Sequence, residues 1–281
     1  GHVWRVDMPG TTLSDWTAIK LASLGSEDTN ADDRRFFKKP TIVRALITET
    51  VEHIDVDSDG NQVSTIHQYE VPYDAILLGS GDRTKPLTSN TNDKLFMIKD
   101  QNILTKKFST VPDVITMDDL YDYTDDPFGN VSDEGRSALA VAVSQKQGWY
   151  IDLLGNGEKS VAKPEAIAGV AYFNSFQPAS SNNSCQLAGG EAFLYAMDLA
   201  LGVNIYQWRK LQVGNSMQDG ITLISLPVDD SDSNNSPSNA VVGDPLAILA
   251  GQALGLCDAN GNCDGVKLKT MRTHLYVTEK N

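Results

Sequence analysis

Cysteine is nearly absent. Cys185, Cys257 and Cys263 are the only three in 281 residues, too few for a fold held together mainly by disulfides or by several zinc sites. Long apolar runs are missing as well. No stretch reaches the ~18 residues that a membrane-spanning helix requires, and no signal-peptide pattern opens the chain. Basic residues are in deficit, with 23 Lys and Arg against 37 Asp and Glu, for a net charge of -14. A field of that sign repels phosphate backbones and argues against a nucleic-acid partner. Histidine is scarce too: His2, His53, His67 and His274. No G-x-S-x-G, H-E-x-x-H or phosphate-loop motif occurs. "GSGDR" at 79–83 is glycine-rich, but no helix opens after it, so it reads as a turn. His53 and His67 read as a solvated or cross-strand pair of a hairpin.

Internal repetition is present instead. One phrase recurs, with an aromatic or apolar pair, a further apolar residue and an acid near the strand end. It reads "VWRVDM" (3–8), "LFMIKD" (95–100), "WYIDLL" (149–154), "LYAMDL" (194–199) and "LYVTE" (275–279). In several copies a second strand comes first, as "YDAILLGSGDR" before "LFMIKD" and "GVAYFNSFQP" before "LYAMDL". Pro40 and Pro164 stand ahead of two such pairs. Each unit reads as strand, turn, strand, rich in Ile, Val, Tyr, Phe and Trp and bounded by Gly, Asn, Asp and Pro. One hairpin cannot bury both faces alone, whereas several arranged radially can. The expected fold is therefore all-β, a β-propeller with long inserted loops and a short helix near 137–147. "GHVWRVDM" reads as a late strand of a blade whose earlier strands lie upstream. Residues 1–281 are thus expected to be the C-terminal portion of a propeller domain, pairing upstream or presenting an open edge.

The insertions carry the candidate sites. "ITETVEHIDVDSDGNQVSTIHQYEV" (47–71) alternates on both sides of Asp59-Gly60, which predicts a long hairpin with an acidic tip. "SDWTAIKLASLG" (14–25) suits either a capped helix or a strand. "DDSDSNNSPSN" (229–239) is a polar, low-complexity loop. At the hairpin tip Asp55, Asp57 and Asp59 fall at positions 1, 3 and 5 of a calcium-loop pattern, with Gly60 at 6. The pattern then breaks, because Val63 and Ile66 occupy the positions of the late ligands. The expected calcium affinity is weak or nil. Cys257 and Cys263 bracket "CDANGNC", whose Asn260-Gly261 turn brings its two ends together. A disulfide across this hairpin end is expected, and with it an oxidising compartment. Cys185 is left over.

In order along the chain, "GHVWRVDM", "DDRRFFKKPTIV", "YDAILLGSGDRTKPL", "KLFMIKD", "GWYIDL...GEK" and "GVAYFNSF.P....C...GGEAFLYAMDL..G" together resemble the C-terminal propeller of PilY/PilC-type proteins. These are tip adhesins and biogenesis factors of Gram-negative type IV pili. The resemblance covers about residues 1 to 200 and returns at "KTMRTHLYVTE". It implies a non-enzymatic protein of the pilus tip or outer membrane, secreted and longer than this chain. The implied partners are upstream parts of the same protein, minor pilins, and a host or surface receptor. It also implies a regulatory calcium loop, which in the family lies just ahead of the "G-x-x-W-R-x-D" strand and so upstream of Gly1. The alternative is a quinoprotein-like propeller enzyme of the pyrroloquinoline-quinone dehydrogenase type. Its cofactor-stacking Trp, catalytic Asp and funnel metal do not appear here as a set.

Overall fold

The computed structural model describes residues 1–56, 60, 62–129, 131–167, 169–179, 189–206, 208–225, 246–249 and 253–254. Its strands are β1 (His2–Asp7), β2 (Thr17–Ser23), β3 (Thr41–Val56), β4 (Gln62–Gly79), β5 (Lys94–Asp100), β6 (Tyr121–Asp122) and β7 (Gly148–Asp152). They continue with β8 (Glu165–Ile167), β9 (Val170–Pro178), β10 (Gly190–Asp198), β11 (Lys210–Gly214), β12 (Thr222–Ser225), β13 (Leu246–Leu249) and β14 (Ala253–Leu254). One α-helix, α1 (Asp133–Ser144), interrupts them. The chain is mostly β with little helix, as the composition and periodicity predict.

Four sheets form: β1-β2, β3-β4-β5-β7-β6, β11-β10-β9-β8 and β12-β13-β14. They are called sheets I to IV. Every ladder is antiparallel except β6 on β7. The two predicted strand pairs are both hairpins. Leu78 stands opposite Phe96 across β4 and β5, and Phe173 stands opposite Tyr195 across β9 and β10. Four copies of the recurring phrase fall on β1, β5, β7 and β10, while the copy at 275–279 lies outside the described residues.

The sheets stack face to face, and this explains the phrase. Odd residues Ala75 and Leu77 of β4 and Leu95 and Met97 of β5 enter one core. Trp149 of β7, Phe173 of β9 and Tyr195 and Met197 of β10 enter it too. Even residues Ile76, Leu78, Phe96 and Ile98 enter a second core with Leu21, Ala22 and Leu24 around β2. A third core lies on the far side of sheet III, with Val170, Tyr172, Leu194 and Ala196. A strand covered on both faces has no solvent side, so apolar residues run consecutively instead of alternating. All of β5 is buried accordingly.

The closing acid of the phrase has a local task. Asp100 accepts from Asn102 N at 2.9 Å. Asp198 accepts from Ala200 N at 2.9 Å and Leu201 N at 2.7 Å. Each carboxylate caps the turn that leaves the strand, as Asx residues do.

Three boundaries differ from the sequence reading. The helix begins before Ser137 because Ser132 caps it, its side chain accepting from Gly135 N at 3.2 Å. It stops before Gln147, whose carbonyl accepts from Lys99 N at the edge of sheet II. The ambiguous 14–25 segment is a strand, since β2 pairs with β1 over its whole length and buries Ile19 and Leu21. Lastly, the partner of β1 follows it in the chain, with Trp4 opposite Lys20.

Candidate interaction surface

The motifs that carry the resemblance converge on the joints between sheets. Between sheets II and III the chain crosses at 157–160. Glu158 is buried there and takes four donors: Ser175 Oγ at 2.5 Å, Tyr195 OH at 2.8 Å, Lys210 Nζ at 2.8 Å and Gly155 N at 3.0 Å. Burial, and then the charge of Glu158, push the Tyr195 hydroxyl well above its usual range. Lys159 is also buried. Its ammonium donates to the carbonyls of Thr88 at 2.6 Å and Gly157 at 2.8 Å, and its backbone bridges Phe176. Loss of solvent lowers its pKa, against the pull of Asp93.

"GSGDR" is the receiving half of this joint. A Cβ on Gly79 would collide with the Ser160 side chain, and one on Gly81 would meet Lys159 Cβ at 2.8 Å. Ser80 accepts from Ser160 N through its carbonyl, and its hydroxyl donates to buried Asp93 at 2.7 Å. The glycines are needed so that a second backbone can approach closely. Gly79→Ala is expected to destabilise the fold by about 1–3 kcal/mol through overpacking, measured by urea denaturation. An unchanged midpoint would show that the joint yields freely.

The joint between sheets I and II is ionic. Arg5 of β1 clasps Asp7 with two bonds, Nε to Oδ2 at 2.7 Å and Nη2 to Oδ1 at 2.6 Å, and reaches Asp100 at the end of β5 at 2.7 Å. Its remaining donors go to the carbonyls of Asn102 and Leu104. The hydrogen bond from Arg5 holds the Asp7 carboxyl below its usual range. "DDRRFF" supplies the other tie. Buried Arg34 donates to Asn92 O at 2.7 Å, Leu24 O at 2.9 Å and Asp32 Oδ1 at 2.8 Å. Phe36 meets Phe96 edge-on, 5.9 Å between centroids.

Beyond these joints one face stays uncovered. Val3, Arg5 and Asp7 of β1 turn inward, and the alternate residues turn outward. Trp4 is 60% exposed, Val6 57% and Met8 54%, with Leu13 at 72% and Trp16 at 42% beside them. Lys20 lies over the Trp4 ring, 5.7 Å from its centroid. Among the described residues β1 pairs with β2 alone, leaving its other edge open. An apolar face with an open strand edge is the signature of a surface built for association.

The predicted site residues fall elsewhere. Asp55 ends β3 opposite Val63, at the tip of the long hairpin, while Asp57 and Asp59 lie outside the described residues. So do Cys185, Cys257 and Cys263. His53 pairs with Thr65 and His67 with Val51, so the two histidines are not directly opposite. Among the described residues no group of three or more His, Cys, Asp or Glu could hold a metal ion. No helix among them is long and apolar enough to cross a membrane. Composition did not reveal the joints. Their signal was the buried charge hidden in "VWRVD" and "GEK", which only the order of the motifs made visible.

No family model matches the chain, and no curated protein does. Among solved structures it is similar to the crystal structure of the Pseudomonas aeruginosa PilY1 C-terminal domain. The TM-score is 0.40 at 14% sequence identity, over 72% of this chain and 43% of that chain. The matched region is thus less than half of the solved chain's length.

Proposed function

We propose that this chain is the C-terminal propeller portion of a PilY/PilC-type protein, a non-enzymatic factor of type IV pilus assembly, retraction control and surface attachment. One observation supports the reading above others. The ordered motifs that resemble that family are the residues that join the stacked sheets: Arg5 with Asp100, Arg34 with Asn92, Gly79 with Ser160, and Glu158 with Tyr195. A run of residues required together by one architecture is better evidence than any single phrase. In this reading the protein acts outside the cell, at the pilus tip or outer membrane. Minor pilins are its partners there, together with a host or surface receptor. A calcium loop upstream of Gly1 serves regulation, Asp55, Asp57 and Asp59 being a weaker candidate, and Cys257 and Cys263 are bridged.

The Trp4 face is the contact for the next sheet of the same protein. Sheets II and III bury both faces and sheet I only one. The test deletes the full-length gene in its bacterium and restores it with wild-type or Trp4→Ser/Val6→Ser protein. Surface pili are expected to fall by about ten-fold on deletion, to return with wild type, and to return poorly with the double variant, because exposed apolar contacts dominate such interfaces. Normal piliation in the deletion strain would overturn the reading. A bound quinone absorbance in the purified protein would favour the dehydrogenase alternative.

A further inference from the structure

Asp126 is the only non-glycine residue with positive φ among the described residues, at 47°, and it precedes Pro127, which disfavours that conformation further. Strain of this kind persists only where the surroundings enforce it. Three contacts hold the turn. Asp126 N donates to Tyr123 O at 3.2 Å, Gly129 N donates to Asp126 O at 2.9 Å, and Asn204 Nδ2 donates to Asp126 Oδ2 at 2.8 Å. The other carboxylate oxygen, Oδ1, is buried with no hydrogen-bond partner among the described residues. On the sheet III side Arg209 precedes β11. The residue is partly exposed, yet Nε, Nη1 and Nη2 are all buried and equally without partners. Burial weakens the charged form of that guanidinium, and the Asp126 carboxylate is the strongest influence restoring it. The Tyr123 hydroxyl, on the same loop as Asp126, is a third buried group with no partner.

A buried guanidinium facing a buried carboxylate is too unfavourable to be incidental unless the two stabilise each other. We propose that Arg209 and Asp126 form an electrostatic latch that pins the 123–129 loop of sheet II against sheet III and holds Asp126 in its strained turn. The latch couples the two sheets at the opposite side of the core from Glu158. When the attraction is lost the turn relaxes, and the loop lifts while the sheets stay stacked. This does not depend on the proposed role at the pilus.

Hydrogen exchange of the full chain tests it. Arg209→Met keeps the stem and removes the charge. Amides of residues 123–129 are then expected to exchange about ten-fold faster, with those of β9 and β10 unchanged, because opening is local. Asp126→Gly in that background accepts positive φ without strain and is expected to bring the rates back toward wild type. Unchanged or slower exchange in Arg209→Met overturns the latch. If that variant does not fold, Asp126→Asn carries the same test, since the amide still accepts from Asn204 and lacks only the charge. Unchanged exchange there overturns the proposal equally.

Discussion

Glu158→Ala is expected to destabilise the protein by about 4 kcal/mol, because removing one member of a buried charged network strands the others. Ser175 and Tyr195 are buried and give their hydroxyl protons to Oε1. Lys210 and the Gly155 amide share Oε2. Lys210 is about one-third exposed and can turn to water, so its share of the loss is small. The stranded hydroxyls and the cavity dominate. For a chain of this size the melting temperature is expected to drop by about 10 °C, read by calorimetry. A drop under about 2 °C would mean that the network adds little beyond packing. Glu158→Gln keeps the shape and an acceptor, and an intermediate loss is expected from it.

Arg5→Met should cost about 3–4 kcal/mol, since it leaves the buried carboxylates of Asp7 and Asp100 without their cation. It also changes the response to acid. The folded-state pKa of Asp7 is depressed, first by its hydrogen bond from Arg5. A depressed carboxyl contributes stability that is complete above its unfolded pKa, about 3.9, and is lost as pH falls through the folded value. Wild type is therefore expected to lose stability below about pH 4 more steeply than Arg5→Met, whose Asp7 has no such preference to forfeit. Parallel acid titrations of the two proteins, followed by circular dichroism, would show it. Identical slopes would refute the assignment.

Much of this fold was legible because its signals are local. The hairpins β4–β5 and β9–β10 follow from apolar runs bounded by turn residues, and the long β3–β4 hairpin from alternation around Asp59-Gly60. The helix was visible through its alanines, though its start depended on the Ser132 cap, three residues from the amide it accepts. The joints were not legible as contacts. Arg5 and Asp100 are 95 residues apart in sequence, and no periodicity connects them. Glu158 lies in a segment with no regular structure, and its burial follows from the stacking of two sheets. The uncovered Trp4 face was half visible. An unpaired opening strand was predicted, but the sequence left β2 undecided between helix and strand, and so hid which side of β1 is open.

The two kinds of joint also order events in time. Hairpin pairing needs only the closure of short loops and is fast. The Arg5 clasp must wait until nearly a hundred residues have been drawn together, a search that slows folding in proportion to the chain it spans. Sheet I therefore docks late, after sheet II has formed a surface to receive it, and until then both sides of β1 face water. A tryptophan lies on each side of this divide. Trp149 is fully buried between sheets II and III with its Nε1 donating to Leu199 O, and Trp4 is exposed on sheet I. In a refolding experiment the first reports collapse of the interior, and the second keeps the emission of the unfolded chain.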